Sequence, residues 1–84
     1  MSATMWVLFT MDETLGVFLT KATAVKSMLK RSIGEVKTRR LRPGAYEYQS
    51  HGEHRTRTFY VMTEAEAKRD GWPELEKQWK PSLQ

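Results

Sequence analysis

The sequence predicts a small α+β domain, in which a mostly antiparallel sheet of about four to five strands carries one main helix on one face. Three observations lead to this class. Several short segments have the apolar patterns of strands: apolar residues either alternate with polar ones or follow one another in a short run. One segment, residues 21–31, has the 3.6-residue period of an amphipathic helix. Single glycines and a Pro-Gly pair separate these segments, as expected for turns.

Length and composition restrict the class further. The 84 residues suffice for one domain, spanning residues 1–84, with residues 1–4 and 81–84 expected to be flexible ends. Hydrophobic residues make up 39% of the chain, which supports a small folded core. There is no cysteine, so disulfides and cysteine-ligated metals are excluded and a cytoplasmic setting is favoured. The apolar run at residues 5–9 is too short to span a membrane, and no membrane association is expected.

The first third of the chain predicts a hairpin followed by a helix. Residues 5–11 are largely apolar on both sides of the chain, which indicates a strand central in its sheet. Residues 12–16 are polar and end in glycine, so they predict a turn, and residues 17–19 predict the returning strand. Thr20 is a suitable N-cap for a helix that runs to about Arg31, before Gly34.

The remainder predicts three more strands and one or two short helices. Residues 35–44 have no apolar face and predict an edge strand, and residues 46–62 predict a hairpin. Thr63 and Glu66 have the spacing of a capping box, so a short helix is expected to about Asp70. Residues 72–79 predict a last helical turn or two that covers the sheet. The predicted order is therefore ββαβββ followed by one or two short helices.

Positive charge is concentrated in the middle of the chain. The net charge is +4, but residues 21–57 hold ten Lys or Arg against three Glu, a local charge of +7. Such a segment is expected to attract nucleic acid or an acidic protein surface. On the edge strand, alternation places Lys37 and Arg39 on one face and Arg40 and Arg42 on the other. The same charges would also prevent edge-to-edge aggregation, which is an equal explanation for them.

The second hairpin could place tyrosine and arginine side chains on one face. With His51-Gly52 as a two-residue loop, which is slightly favoured, Tyr48 faces Arg55 and Tyr46 faces Arg57. Alternating tyrosine and arginine could stack unpaired bases and contact phosphates. A three-residue loop would shift the register by one and remove that surface. An ordinary hairpin with solubilising arginines accounts for the same residues.

Metal binding and catalysis are weaker interpretations of this hairpin. His51, Glu53 and His54 lack a third strong ligand nearby, so no metal and no cofactor is expected. A metal-independent ribonuclease needs a general base, a general acid and a cation at the phosphate. The hairpin contains those residue types: Tyr46, Glu47, Tyr48, His51, Glu53, His54, Arg55 and Arg57.

Two resemblances bear on function. Residues 45–62, with "AYEYQ" and "HRTRTFYVM", resemble the late hairpin of RelE/ParE-type toxins, which implies ribonuclease activity and points to Arg55 or Arg57 and Tyr60. The sequence departs from that family in having one early helix instead of two, and Tyr48-Gln49 where the first-strand arginine is expected. Residues 6–29 are similar to small ββα modules found in phage and other mobile elements.

These observations predict a small non-enzymatic binding module, a regulator or a mobile-element inhibitor, that engages an acidic partner. The expected binding residues are Lys37, Arg39, Arg40, Arg42, Tyr46, Tyr48, Arg55 and Arg57. The partner is expected to be nucleic acid or an acidic protein surface. The small ribonuclease is the alternative from the enzyme class. A protein-interaction or homodimerisation module is the third hypothesis, since edge strands and the tryptophans at 72 and 79 would permit it.

Overall fold

The computed structural model describes residues 4–72 and contains a five-stranded antiparallel sheet, which confirms the predicted class of sheet and its helix. The elements are β1 (Trp6–Phe9), β2 (Thr14–Phe18), α1 (Lys21–Arg31), β3 (Glu35–Arg42), β4 (Ala45–His51), β5 (Thr56–Thr63) and α2 (Glu64–Arg69). The strands lie in the order β2-β1-β5-β4-β3. The observed order of elements is close to the predicted one, and the segment predicted to be helical at 72–79 lies, after its first residue, outside the described residues.

Both helices begin at the predicted caps. Thr20 accepts a hydrogen bond from the backbone N–H of Thr23 at 3.1 Å, and Thr63 accepts one from Glu66 at 3.3 Å. Each bond satisfies a backbone donor that the first turn of a helix leaves free. Helix α1 ends at Arg31, and within residues 4–72 neither helix is long and apolar enough to cross a membrane.

The sheet buries side chains on both faces, as the apolar first strand predicts. On one side, Leu8 and Phe59 pack with Ala24 and Met28 of α1. On the other, Val7 and Met62 pack with Ala67 of α2. Because successive strand residues point to opposite sides, these two clusters lie on opposite surfaces of the sheet. The side that carries α1 is called the helix face below, and the side that carries α2 the opposite face.

The register predicted for the second hairpin is wrong, in both of its versions. The connecting loop has four residues, 52–55, and is closed by a 2.8 Å hydrogen bond from the Gly52 N–H to the Arg55 carbonyl. Tyr48 therefore pairs with Phe59, and Tyr46 with Val61. The physical reason is burial: this register puts Phe59 and Val61 into the helix-face core, opposite the tyrosines, where the two-residue loop would have put Arg55 and Arg57.

The predicted alternation along β3 is also wrong at one position. The register between β3 and β4 shifts between Arg40 and Arg42, where an additional residue is accommodated. Arg40 pairs with Tyr46, so it belongs to the helix face. Arg42 pairs with Ala45, which packs in the cluster of the opposite face. The bulge thus separates two arginines that strict alternation would place together.

A buried hydroxyl fixes the connection from α1 to β3. Ser50 is fully buried, accepts a hydrogen bond from the Ile33 N–H at 2.6 Å, and donates one to the Ile33 carbonyl. Gly34, which follows Ile33, has a φ of 69°, and a Cβ at this position would meet the His51 carbonyl oxygen. Glycine is therefore required at this close approach of two backbone segments. Together these contacts hold the end of α1 beside the end of β4.

The variant Ser50→Ala is expected to destabilise the fold by roughly 1–3 kcal/mol, because it removes two part-buried hydrogen bonds to the Ile33 backbone, each worth about 0.5–1.5 kcal/mol. Urea denaturation measures the decrease in the free energy of unfolding. Ser32→Ala is the matched control, since the Ser32 hydroxyl makes a single exposed bond to the Leu29 carbonyl. Equal decreases for the two variants would contradict the role assigned to Ser50.

Candidate functional site

The cations of the chain are distributed unequally over the two faces of the sheet. Six of them belong to the helix face and are named the helix-face cations: Lys21, Lys26, Lys30 and Arg31 of α1, Arg40 of β3 and Arg57 of β5. Helix α1 has no acidic residue, and neither do the positions of β3, β4 and β5 that share this face. Among residues 4–72, none of the six forms an ion pair with a carboxylate.

The cations of the opposite face have acidic partners. Lys37 Nζ lies 4.0 Å from the Glu35 carboxylate, and Arg39 Nε lies 3.6 Å from that of Glu47. On α2, Lys68 pairs with Glu64 at 4.0 Å. Each of these three cations therefore has a carboxylate within 4.0 Å. Two of the expected binding residues, Lys37 and Arg39, consequently differ from Arg40 in electrostatic environment although all three are on one strand.

Arg42, another of the expected binding residues, connects β3 to α2. Its Nε donates to the Glu66 carboxylate, and its Nη2 donates to Asp70 at 2.8 Å and to the Glu66 carbonyl at 3.3 Å. The hydrogen bond to Glu66 and then that to Asp70 raise the pKa of the Arg42 guanidinium. The side chain is only 28% exposed. The guanidinium is thus engaged within the fold by three hydrogen bonds.

Both candidate tyrosines lie on the helix face, but their rings are covered. Tyr48 is 6% exposed, and its burial raises the pKa of its hydroxyl. Tyr46 is half-buried, with Lys21 Nζ 3.5 Å from the centre of its ring and the Trp6 ring centre at 6.5 Å. A cation at that distance interacts favourably with the ring face. The two tyrosines therefore support the site from beneath and leave little ring surface for stacking.

The two candidate arginines of β5 and its loop take separate positions. Arg57 donates from Nη1 to the Arg31 carbonyl at 3.4 Å, and its guanidinium carbon lies 5.4 Å from the centre of the Phe59 ring. It therefore lies at the negative end of α1, where a cation is favourable because the last carbonyls lack helical partners. Arg55 is exposed in the loop at 52–55. Neither arginine pairs with the tyrosine that the sequence predicts for it.

The lysines of α1 are the residues that sequence reasoning missed. They form the polar side of an amphipathic helix, a pattern that by itself indicates only an ordinary solvated surface. The sequence feature that could have pointed to these lysines is that residues 21–31 contain four cations and no acidic residue. What the sequence does not show is that Arg40 joins the same face while its neighbours on β3 turn away.

The residues of the enzyme hypothesis do not meet at one place within the described chain. Arg57 belongs to the helix face, whereas Tyr60 belongs to the opposite face, where it stacks on Phe9 at 5.5 Å. Burial, followed by the Glu47 charge, raises the pKa of Tyr60. His54 is exposed beside Glu53, while His51 bonds through Nδ1 to the Thr56 hydroxyl at 3.1 Å. Residues 4–72 contain no group of three or more His, Asp or Glu arranged to hold a metal.

The helix face also contains an open groove, between α1 and β4. Its volume is about 630 Å³, and it is lined by Lys21, Ala22, Val25, Lys26, Leu29 and Tyr48. Leu29 is 51% exposed although it is apolar. Apolar walls and a cationic rim thus occur together on the side of the sheet that has no compensating carboxylate among the described residues.

No protein-family model, curated protein or solved structure matches the chain. The charge and geometry of the helix face are therefore the basis for assigning a function.

Arg40 and Arg42 are expected to respond differently to substitution. Arg42→Gln removes the link between β3 and α2, so the thermal midpoint should fall by several degrees. Arg40→Gln removes an exposed charge without an ion-pair partner among the described residues, so the midpoint should stay within error. Circular dichroism melting of both variants measures this. A fall of the same size in both would contradict the division between a structural and a surface arginine.

Proposed function

We propose that the protein is a small non-enzymatic binding module that engages an acidic macromolecule through its helix-face cations. The observation that carries the proposal is the separation of charge: the six helix-face cations have no carboxylate partner among residues 4–72, while Lys37, Arg39 and Arg42 do. A cytoplasmic setting, favoured by the cysteine-free sequence, is part of the proposal.

The positions of the helix-face cations favour a combined attraction for an anionic partner. Cations within about one Debye length, ~8–10 Å at moderate salt, add their fields, and no carboxylate among the described residues of this face reduces them. Lys26, Lys30 and Arg40 are exposed, so a partner can reach them. Lys21 contacts the Tyr46 ring and Arg57 contacts the end of α1, and these contacts restrict the two side chains before a partner arrives. Fixed charges lose less conformational entropy on binding than mobile ones.

Two triple variants separate a specific surface from general attraction. The helix-face triple is Lys26→Gln, Lys30→Gln and Arg40→Gln. The opposite-face triple is Lys37→Gln, Arg39→Gln and Lys68→Gln. Each removes two lysines and one arginine, so both proteins have the same net charge. The probes are fluorescein-labelled polyglutamate and a labelled single-stranded oligonucleotide, measured by anisotropy over a series of salt concentrations.

The helix-face triple is expected to bind much more weakly than the wild type to whichever probe the wild type prefers. For the oligonucleotide, the slope of log K against log salt should become shallower by about 2, because each phosphate that the protein no longer neutralises reduces it by roughly 0.7. The opposite-face triple should bind nearly as the wild type does. Equal weakening in the two triples, or no binding of either probe at low salt, would overturn the proposed function.

A further inference from the structure

The helix face has room for a second helix beside α1. Five strands spaced by about 4.8 Å span roughly 19 Å, and a helix with its side chains covers ~10 Å. Helix α1 contacts β1, β2 and β5. It therefore covers one side of the sheet's width and leaves the β4–β3 side of this face without a covering element among the described residues. In two-layer α+β domains such a surface is normally covered by a helix.

The part of the uncovered strip next to α1 is apolar. The groove of about 630 Å³ has Val25 and Leu29 on its α1 wall and Tyr48 at its base. On β3, Val36 packs against the helix-face core and is only partly buried. An amphipathic helix inserted here would bury Leu29, which is 51% exposed. Apolar anchors at positions i, i+3, i+4 and i+7 are the usual means by which a helix occupies such a groove.

We propose that this groove binds an acidic amphipathic helix supplied by a partner protein. The inference rests on the proposed function and specifies its partner. The groove is bordered by Lys21 and Lys26 from α1, and Arg40 stands on β3 across from them. The apolar stripe of such a helix would contact the apolar wall and base of the groove. Its flanking carboxylates would lie near the cations at the rim. Its acidic residues would provide the compensation that this face lacks among the described residues.

Other occupants fit the groove less well. A single-stranded nucleic acid would need open aromatic rings for its bases, but Tyr48 is buried and Tyr46 is half-buried with Lys21 over its ring. A second copy of the chain would offer either α1, whose four cations would meet like charges, or α2, which has only six residues. The chain's own residues 73–84 start from Trp72, which packs on the opposite face and donates to the Thr14 hydroxyl at 2.7 Å. Thr14 lies on β2, at the far edge of the sheet from β3.

The test uses the full-length protein and two fluorescein-labelled peptides of one composition. The first is a helix of about 18 residues, ~27 Å long, with leucine at i, i+3, i+4 and i+7 and glutamate at most other positions. The second has the same residues in an order without an apolar stripe. Anisotropy titrations at near-physiological salt compare them with a labelled single-stranded oligonucleotide. Wild-type protein is expected to bind the striped peptide at least about tenfold more tightly than the scrambled one.

Three single variants locate the site. Leu29→Gln should weaken the striped peptide by about tenfold, because it removes an apolar contact from the groove wall. Lys26→Glu should weaken it by about fivefold or more, because it reverses a charge on the rim. Lys68→Glu is the matched control: it makes the same charge change at an exposed helical lysine, but Lys68 lies on α2 and does not line the groove. It should weaken binding by less than about twofold.

Several results would overturn the inference. Equal binding of both peptides, or equal effects of Lys26→Glu and Lys68→Glu, would show general attraction instead of a groove. Preferential binding of the oligonucleotide would overturn the helix partner and leave the proposed function standing, whereas failure of all probes would remove both. Nuclear Overhauser contacts from Leu29 to residues 73–84 would make the chain's own end the occupant. A dimer that Leu29→Gln dissociates would make it a second copy.

Discussion

The packing of Ala24 and Met28 of α1 against Leu8 and Phe59 is the contact on which the arrangement of the helix face depends. All four side chains are fully buried. Alanine at position 24 allows the helix backbone to approach the sheet closely, while Met28 fills the remaining space with a flexible side chain. Because these residues fix which side of α1 is inward, they also fix its polar side, with Lys26 and Lys30, as the surface presented to solvent.

The position of α1 across the sheet follows from its two connections. It starts directly after β2, an edge strand, and it must reach β3 at the other edge. The helix therefore crosses over β2, β1 and β5, and the hydrogen bonds between Ser50 and Ile33 attach its far end to β4. The remaining distance to β3 is covered by a short connection that contains Gly34. The groove on the helix face is thus a consequence of chain connectivity and of one serine hydroxyl.

Much of the fold can be predicted from local sequence, because its signals are local. The period of residues 21–31, the caps Thr20 and Thr63 and the charged edge strand each depend on a few neighbouring residues. The hairpin register cannot be predicted in this way. It is decided by Tyr48 and Phe59 entering a shared core, and the loop adapts to that pairing. The glycine at the bend is compatible with several loops, so it carries too little information.

The candidate site is predictable in its charge and less so in its composition. The excess of cations in residues 21–57 is visible in the sequence, and it is the reason for expecting an acidic partner. Which cations remain uncompensated depends on contacts between distant residues, such as Arg42 with Glu66 and Asp70. It depends also on a bulge that puts Arg40 on one face and Arg42 on the other. The spacing of the arginines along β3 predicts neither these distant contacts nor the bulge.

We propose that the helix face is the binding interface. Binding would then depend on the cations of this face and not on the net charge of the protein. The most direct test maps the backbone amide chemical shifts of ¹⁵N-labelled protein while unlabelled polyglutamate is added at near-physiological salt. We expect shift changes to concentrate in α1 and around Arg40, while the amides of α2 and those around Lys37 change little. Changes centred on α2, or spread evenly over both faces, would contradict this assignment of the interface.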